Sequence, residues 1–254
     1  MAPRVYAPNA RTDRPTVDLP EDEAHHLEHV LRLRTGDAVA VFDGAGREWS
    51  GRIAVMARSG VSVELDHPTD PVREPAVRVI LAVGMLKGDQ METVIRDATM
   101  LGVARIVPMR TDHVAVPGRL REGDKALSRW RRVAVASAKQ CRRAVVPEIT
   151  PVATFADVLG EIKRDLAIIA TEPAAASDPG PHVPHRHIQA SGSAPKPPKT
   201  ALVLVGPEGG WSRSELELAL GAGAEPRQLG PRTLRAESAP IVLLSALWTE
   251  WGWS

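Results

Sequence analysis

The chain has 254 residues, 43% of them hydrophobic and 25% charged, with a formal net charge of +1. That is material for one large or two modest globular domains, and the even charge balance means that any nucleic-acid-binding surface must be a local one. A single cysteine, Cys141, excludes an internal disulfide framework. No apolar run reaches a membrane span, and the opening MAPRVYAPNARTDRP has no signal-peptide centre, so a cytoplasmic protein without membrane attachment is expected.

Residues 1–20 are rich in proline and arginine and read as extended. Glu21 to Leu33 reads as a short helix, with acids in its first turn and an apolar stripe of Leu27, Val30 and Leu31. His25 and His29 share a face of it, but no Glu-rich or Cys-rich partner set follows, so surface histidines are expected rather than metal ligands. From Gly36 the period changes to two. Ala38–Phe42 ends in the hairpin signal Asp43-Gly44, and Trp49–Val55 and Val61–Leu65 read as the next strands. This small β-rich unit ends near Asp70-Pro71 and carries Arg32, Arg34, Arg47 and Arg52. Such a basic face fits RNA, and equally fits ordinary solubilising arginines at strand ends.

From Val77 the rhythm becomes strand, helix, strand, helix. Val77–Val83 reads as a buried strand; Met91, Val94, Ile95, Ala98 and Leu101 recur at helical spacing, with Gly102 as the stop. Val103–Met109 and Asp165–Thr171 read as strands, and Leu127–Arg143 as a long helix with Arg131, Arg132, Lys139, Arg142 and Arg143. The alternation implies a mostly parallel sheet covered by helices. Residues 174–199 lack periodicity and read as a disordered surface insertion, with His182, His185 and His187 incidental to it. Ile241–Trp251 is apolar almost all round, so it must be buried on several sides, which suits a subunit interface.

The chemistry is narrowed first by what is missing. There is no Gly-x-Gly-x-x-Gly after a strand, no phosphate-cradling Gly-x-x-x-x-Gly-Lys-Ser/Thr and no Gly-x-Ser-x-Gly elbow. Cys141 has no evident general base near it in sequence. Two glycine-proline turns remain, Gly206-Pro207-Glu208-Gly209-Gly210 and Leu229-Gly230-Pro231-Arg232. Each follows an apolar run and leads towards a helix. Turns of this kind expose backbone N–H and C=O groups at strand ends, where open α/β sheets hold ligands; the first also reads as a plain strand-turn-helix corner, since Ser212 and Glu215 form a capping box. The second crowds Arg232, Arg235 and Glu237 beside a buried helix, which is costly unless they serve each other or a ligand.

The strings LVGPEGGWS and LGPRTLRAESA resemble the signature of the RsmE family, 16S ribosomal RNA uridine-N3 methyltransferases of the SPOUT class. The resemblance covers nearly the whole chain. VLRLRTGD and VFDG resemble the family's PUA-like RNA-binding barrel, and Lys87 with Met91-Glu92, Leu101-Gly102-Val103 and Trp130 through Lys139-Gln140 to Val146-Pro147-Glu148 resemble its middle motifs.

The resemblance implies an α/β SPOUT trefoil-knot domain at residues 72–254 behind a PUA-like barrel at 1–71, a homodimer, S-adenosyl-L-methionine as cofactor and no metal. The partner it implies is 16S rRNA or the small ribosomal subunit. It assigns the cofactor to Thr171, Glu172, Val205, Gly206, Pro207, Glu208, Gly209, Gly210, Leu229, Gly230, Arg232, Leu234, Arg235, Ser238 and Ala239. Arg232, Arg235 and Glu237 would be catalytic; Glu237 as a mere cap and partner of Arg235 is the plainer reading. RNA would meet Arg32, Arg34, Lys87, Arg142 and Arg143. Three departures stand out: Lys139 replaces the usual glutamate before Gln140, Ser238 replaces threonine, and the segment after Glu172 is longer. Alternative functions are another rRNA or tRNA target, or an RNA-binding protein that has lost catalysis.

Overall fold

A computed structural model describes residues 2–114, 123–161, 165–173 and 196–252. The segment expected as a disordered insertion, with its three histidines, lies outside them except for residues 196–199. The chain divides into two units, Met1–Glu74 with Val135–Val146, and Pro75–Ala134 with Pro147–Ser254.

The first unit is built on a five-stranded sheet of order β1-β3-β4-β5-β2, from β1 (Arg4–Tyr6), β2 (Thr16–Asp18), β3 (Ala38–Phe42), β4 (Glu48–Ala57) and β5 (Gly60–Thr69). The period-two reading holds: Val39 and Val41, Trp49 and Ile53, and Val61 and Val63 face one core with Val5, Val17 and Leu27. At the predicted hairpin, the Asp43 carboxylate accepts from Ala45 N at 2.8 Å, Arg47 N at 3.1 Å and Arg47 Nε at 2.6 Å, while Gly44 takes φ +78°.

The helix expected over 21–33 is shorter and changes type. It runs as α1 (Glu21–His25) into a π-turn at His26–Val30, closed by Leu31 N donating to His26 O. The wider turn breaks the 3.6-residue period, so Leu27 is buried but Val30 and Leu31 are 60% and 39% exposed. Arg32 then reverses the chain with φ +55°.

The second unit is a parallel sheet of order β12-β10-β11-β6-β7-β8, with β9 also on β7. Its strands are β6 (Arg78–Gly84), β7 (Arg105–Arg110), β8 (Glu148–Ile149), β9 (Ala153–Thr154), β10 (Leu166–Thr171), β11 (Thr200–Val205) and β12 (Glu225–Gln228). Val79–Val83 and Ala201–Val205 are buried throughout, as strands covered on both faces must be.

Helix α2 (Gln90–Met100) buries the predicted Met91, Val94, Ile95 and Ala98 and stops at Gly102, φ +79°. The long helix α3 (Gly123–Cys141) ends two residues before the predicted Arg143, because Arg142 adopts φ +66°. The short α4 (Phe155–Leu159) is capped by Thr154 and Asp157, and α5 (Arg213–Gly221) has the predicted Ser212–Glu215 capping box. Helix α6 (Ala239–Trp251) buries Leu243, Leu244, Leu247, Trp248 and Trp251. Trp248 Nε1 donates to Leu101 O at 2.7 Å, and Val242 remains 40% exposed. No helix among the described residues is long and apolar enough to cross a membrane.

Candidate functional site

Three neighbouring parallel strands stop at one level. Thr171 at the end of β10 is paired with Gln228 at the end of β12, and Ile169 with Leu204, one residue before the end of β11. Three loops therefore leave the same sheet edge, at Glu172–Pro173, Gly206–Ser212 and Leu229–Ser238. They enclose a cleft of about 310 Å³, within the range of small-ligand sites.

Of the residues assigned from the sequence, Thr171, Glu172, Val205, Gly206, Pro207, Glu208, Gly210, Leu229, Arg232, Leu234, Arg235, Glu237 and Ala239 line this cleft. Gly209, Gly230 and Ser238 do not. Gly209 faces the segment after β7, where its carbonyl bonds His113 Nδ1 at 2.9 Å. Gly230 takes φ +110° and its carbonyl accepts from Gln228 Nε2 at 2.9 Å. Ser238 begins α6 without a side-chain cap. Pro173, Thr233 and Ala236, which fall inside the loops implied at Thr171–Pro173 and Leu229–Ala239, also line the cleft, and sequence reading missed Gln90, Ala170 and Trp211. Trp211 stood inside the first glycine-proline string; Gln90 is distant in sequence and gave no signal.

The first turn is held from several sides. Trp211 Nε1 donates to Ala170 O at 2.8 Å, and its ring lies 5.5 Å from that of Phe155. That ring also covers Gly206, where an added Cβ would lie 3.2 Å from Trp211 Cε2. Pro207 O accepts from Gly210 N at 3.0 Å, and Gly210 takes φ +67°. Ser212 Oγ donates to Asp112 at 2.6 Å, and buried Glu215 accepts from Asp112 N at 2.9 Å.

On the other wall Arg235 is 82% exposed and only 3.9 Å from Glu237, whose side chain is 18% exposed. An ion pair this loose and wet is weak, so the guanidinium is not committed to it. Thr171 Oγ1, by contrast, is buried and has no hydrogen-bond partner among the described residues. A hydroxyl shielded from water is normally paired, and this one belongs to a residue of the cleft wall.

The structure corrects part of the RNA set. Arg143 is buried, and its guanidinium donates to the Glu74 carboxylate, with Nε 2.9 Å from both oxygens, so it does not offer its charge to a phosphate. Lys139 donates to Glu23, itself 5% exposed, at 2.8 and 2.9 Å; both are structural ion pairs of the first unit. Arg32, Arg34, Lys87 and Arg142 are exposed. Among the described residues no group of His, Cys, Asp and Glu could hold a metal ion.

Comparison with known proteins defines the class. Residues 73–248 match the family described as an RNA methyltransferase domain, and residues 19–66 match the RNA methyltransferase PUA domain. The chain is 30% identical to Ribosomal RNA small subunit methyltransferase E of Bacillus subtilis, over 92% of this chain and 90% of that protein. With the protein of the same name from Synechocystis it shares 28%, over 97% and 77%.

Two solved structures superpose over nearly all of it. One is a Legionella pneumophila protein in complex with the bound cofactor SAM, with TM-score 0.86, 28% identity and 98% of each chain covered. The other is Ribosomal RNA small subunit methyltransferase E from Neisseria gonorrhoeae bound to S-adenosyl methionine, with TM-score 0.81, 27% identity and 99% and 98% covered. The chain belongs to this RNA methyltransferase family, that of Ribosomal RNA small subunit methyltransferase E. The expected fold class holds: an α/β SPOUT methyltransferase with a PUA-like domain.

Proposed function

We propose that this chain is a methyltransferase that uses S-adenosyl-L-methionine to methylate N3 of a uridine in 16S rRNA of the small ribosomal subunit. The observation that carries this reading is the cleft at the shared end of β10, β11 and β12, which has the size and the lining for such a cofactor. Leu229, Leu234 and Val205 supply apolar walls for a nucleoside, and the buried Thr171 hydroxyl and Glu208 supply polar contacts. Both relatives solved with the cofactor superpose across this region.

When bound, the sulfonium supplies an already activated methyl group, so the chain need not provide a nucleophile. Its residues have to align the uracil ring, exclude water and favour the N3-deprotonated form. Positioning alone supplies several kcal/mol. Arg232 and Arg235 at the cleft's mouth stabilise negative charge on the ring oxygens, and Glu237 orients Arg235 or accepts the N3 proton through a water. Arg32, Arg34, Lys87 and Arg142 contact phosphates, which makes RNA affinity salt-dependent. Residues 1–71 form an RNA-binding barrel and 72–254 the methyltransferase domain, which also contributes Lys87 and Arg142 to the RNA, in a cytoplasmic homodimer that uses the exposed side of α6 around Val242.

The test is mass spectrometry of 16S rRNA, free and in assembled small subunits, after incubation with the enzyme and labelled cofactor. One methyl group on a uridine N3 is expected, and none with Arg235→Ala, which still binds cofactor. Methylation of a different RNA overturns the substrate, and full transfer by Arg235→Ala overturns the mechanism.

A further inference from the structure

We infer that Gln90, which nothing in the sequence singled out, is a positioning residue that acts through Glu208. The inference rests on reading the cleft as the methyl-donor site. Lys87-Gly88-Asp89-Gln90 is a tight turn between β6 and α2, closed by Gln90 N donating to Lys87 O at 3.2 Å, with Gly88 at φ +59°. The turn brings its two ends together against the loop after β11. Lys87 N donates to Glu208 Oε1 at 3.0 Å. One end of the Gln90 amide lies 2.9 Å from the same oxygen and 3.3 Å from Lys87 O. Both of these are acceptors, so the amide nitrogen is assigned to that end.

Two donors thus converge on one carboxylate oxygen. No hydrogen bond among the described residues engages the other, Oε2. Glu208 and Gln90 both line the cleft. An exposed glutamate otherwise samples several rotamers, and fixing one costs side-chain entropy. Here that cost is met before the ligand arrives, and Oε2 is left as an acceptor for a hydroxyl or ammonium group of the methyl donor.

The experiment is titration calorimetry with two probes, S-adenosylmethionine and 5′-methylthioadenosine, which keeps the ribose and lacks the amino-acid end. Gln90→Met removes the tether and is expected to weaken S-adenosylmethionine about five- to tenfold. Gln90→Lys keeps a donor for Glu208 and should restore affinity to within about twofold. The double variant Gln90→Met, Glu208→Ala should bind no more weakly than Glu208→Ala alone. A loss shared by both probes assigns Oε2 to the ribose hydroxyls, and a loss confined to S-adenosylmethionine assigns it to the ammonium.

Wild-type affinity in Gln90→Met, a folded Gln90→Lys as weak as Gln90→Met, or additive losses in the double variant would each overturn the role of Gln90. A wild-type chain that takes up neither probe contradicts the cleft reading instead.

Discussion

Replacing Gly84 by alanine tests how closely the sheet and the cleft loop are fitted. Gly84 is the last residue of β6; its neighbour Val83 pairs with Val205, and Gly84 itself pairs with Met109. A Cβ placed on it would stand 2.6 Å from Pro207 N, 2.7 Å from Pro207 Cδ and 3.1 Å from Gly206 C. These are backbone and ring atoms that no rotamer change can move. Either β6 or the Gly206–Gly210 turn must shift. Overpacking of this kind costs about 1–3 kcal/mol, and a chain of this length loses roughly 2–4 °C of melting temperature per kcal/mol. Gly84→Ala should therefore melt roughly 2–12 °C lower. Because the displaced turn is the cleft wall, cofactor affinity should fall about tenfold as well. Gly123→Ala is the control: no atom of the described residues lies within 4 Å of its added Cβ. Differential scanning calorimetry and ligand titration read both effects. A Gly84→Ala protein with wild-type melting temperature and affinity would refute the close approach.

Thr171→Val removes a hydroxyl that is buried and has no partner among the described residues. The free protein should melt at the same or a higher temperature, while cofactor binding weakens several-fold in titration; unchanged binding would show that the hydroxyl serves no ligand. Lys139→Ala leaves the Glu23 carboxylate, 5% exposed, without its cation. It should cost about 2–4 kcal/mol in urea unfolding, and an unshifted midpoint would show that the pair is not a structural one. The Thr154 hydroxyl and backbone N–H hold the Asp157 carboxyl below its ordinary value of 3.8. A depressed folded value stabilises above the unfolded one and is lost as pH falls through the folded one. Asp157→Asn should thus melt below wild type at pH 7, with the gap closing in acid below pH 3.8; a gap that persists there contradicts the cap.

Where a residue's neighbours in space are also its neighbours in sequence, the structure was legible. The 3.6-residue period of Met91, Val94, Ile95 and Ala98 became the buried face of α2, and the two glycine-proline strings became two of the three loops around the cleft. What escaped depends on distant partners. Arg143 reads as one more surface arginine until Glu74 comes against it. The apolar run expected before Leu229 is instead strand β12, Glu-Pro-Arg-Gln, polar and mostly only half-buried, which exists because β10 offers it an edge. Gln90 matters through a carboxylate 118 positions further along the chain. The π-turn at His26–Val30 shifted a stripe that a regular helix would have buried.

The central claim is that the ends of β10, β11 and β12 hold the methyl donor. A crystal structure of this chain with S-adenosylmethionine tests it most directly. The account predicts the adenine beside the backbone of Leu229 and Leu234, the ribose and methionine portions along Gly206–Gly210, and the methyl group facing Arg232 and Arg235. Density for the cofactor elsewhere on the chain, with this cleft holding only solvent, would contradict it.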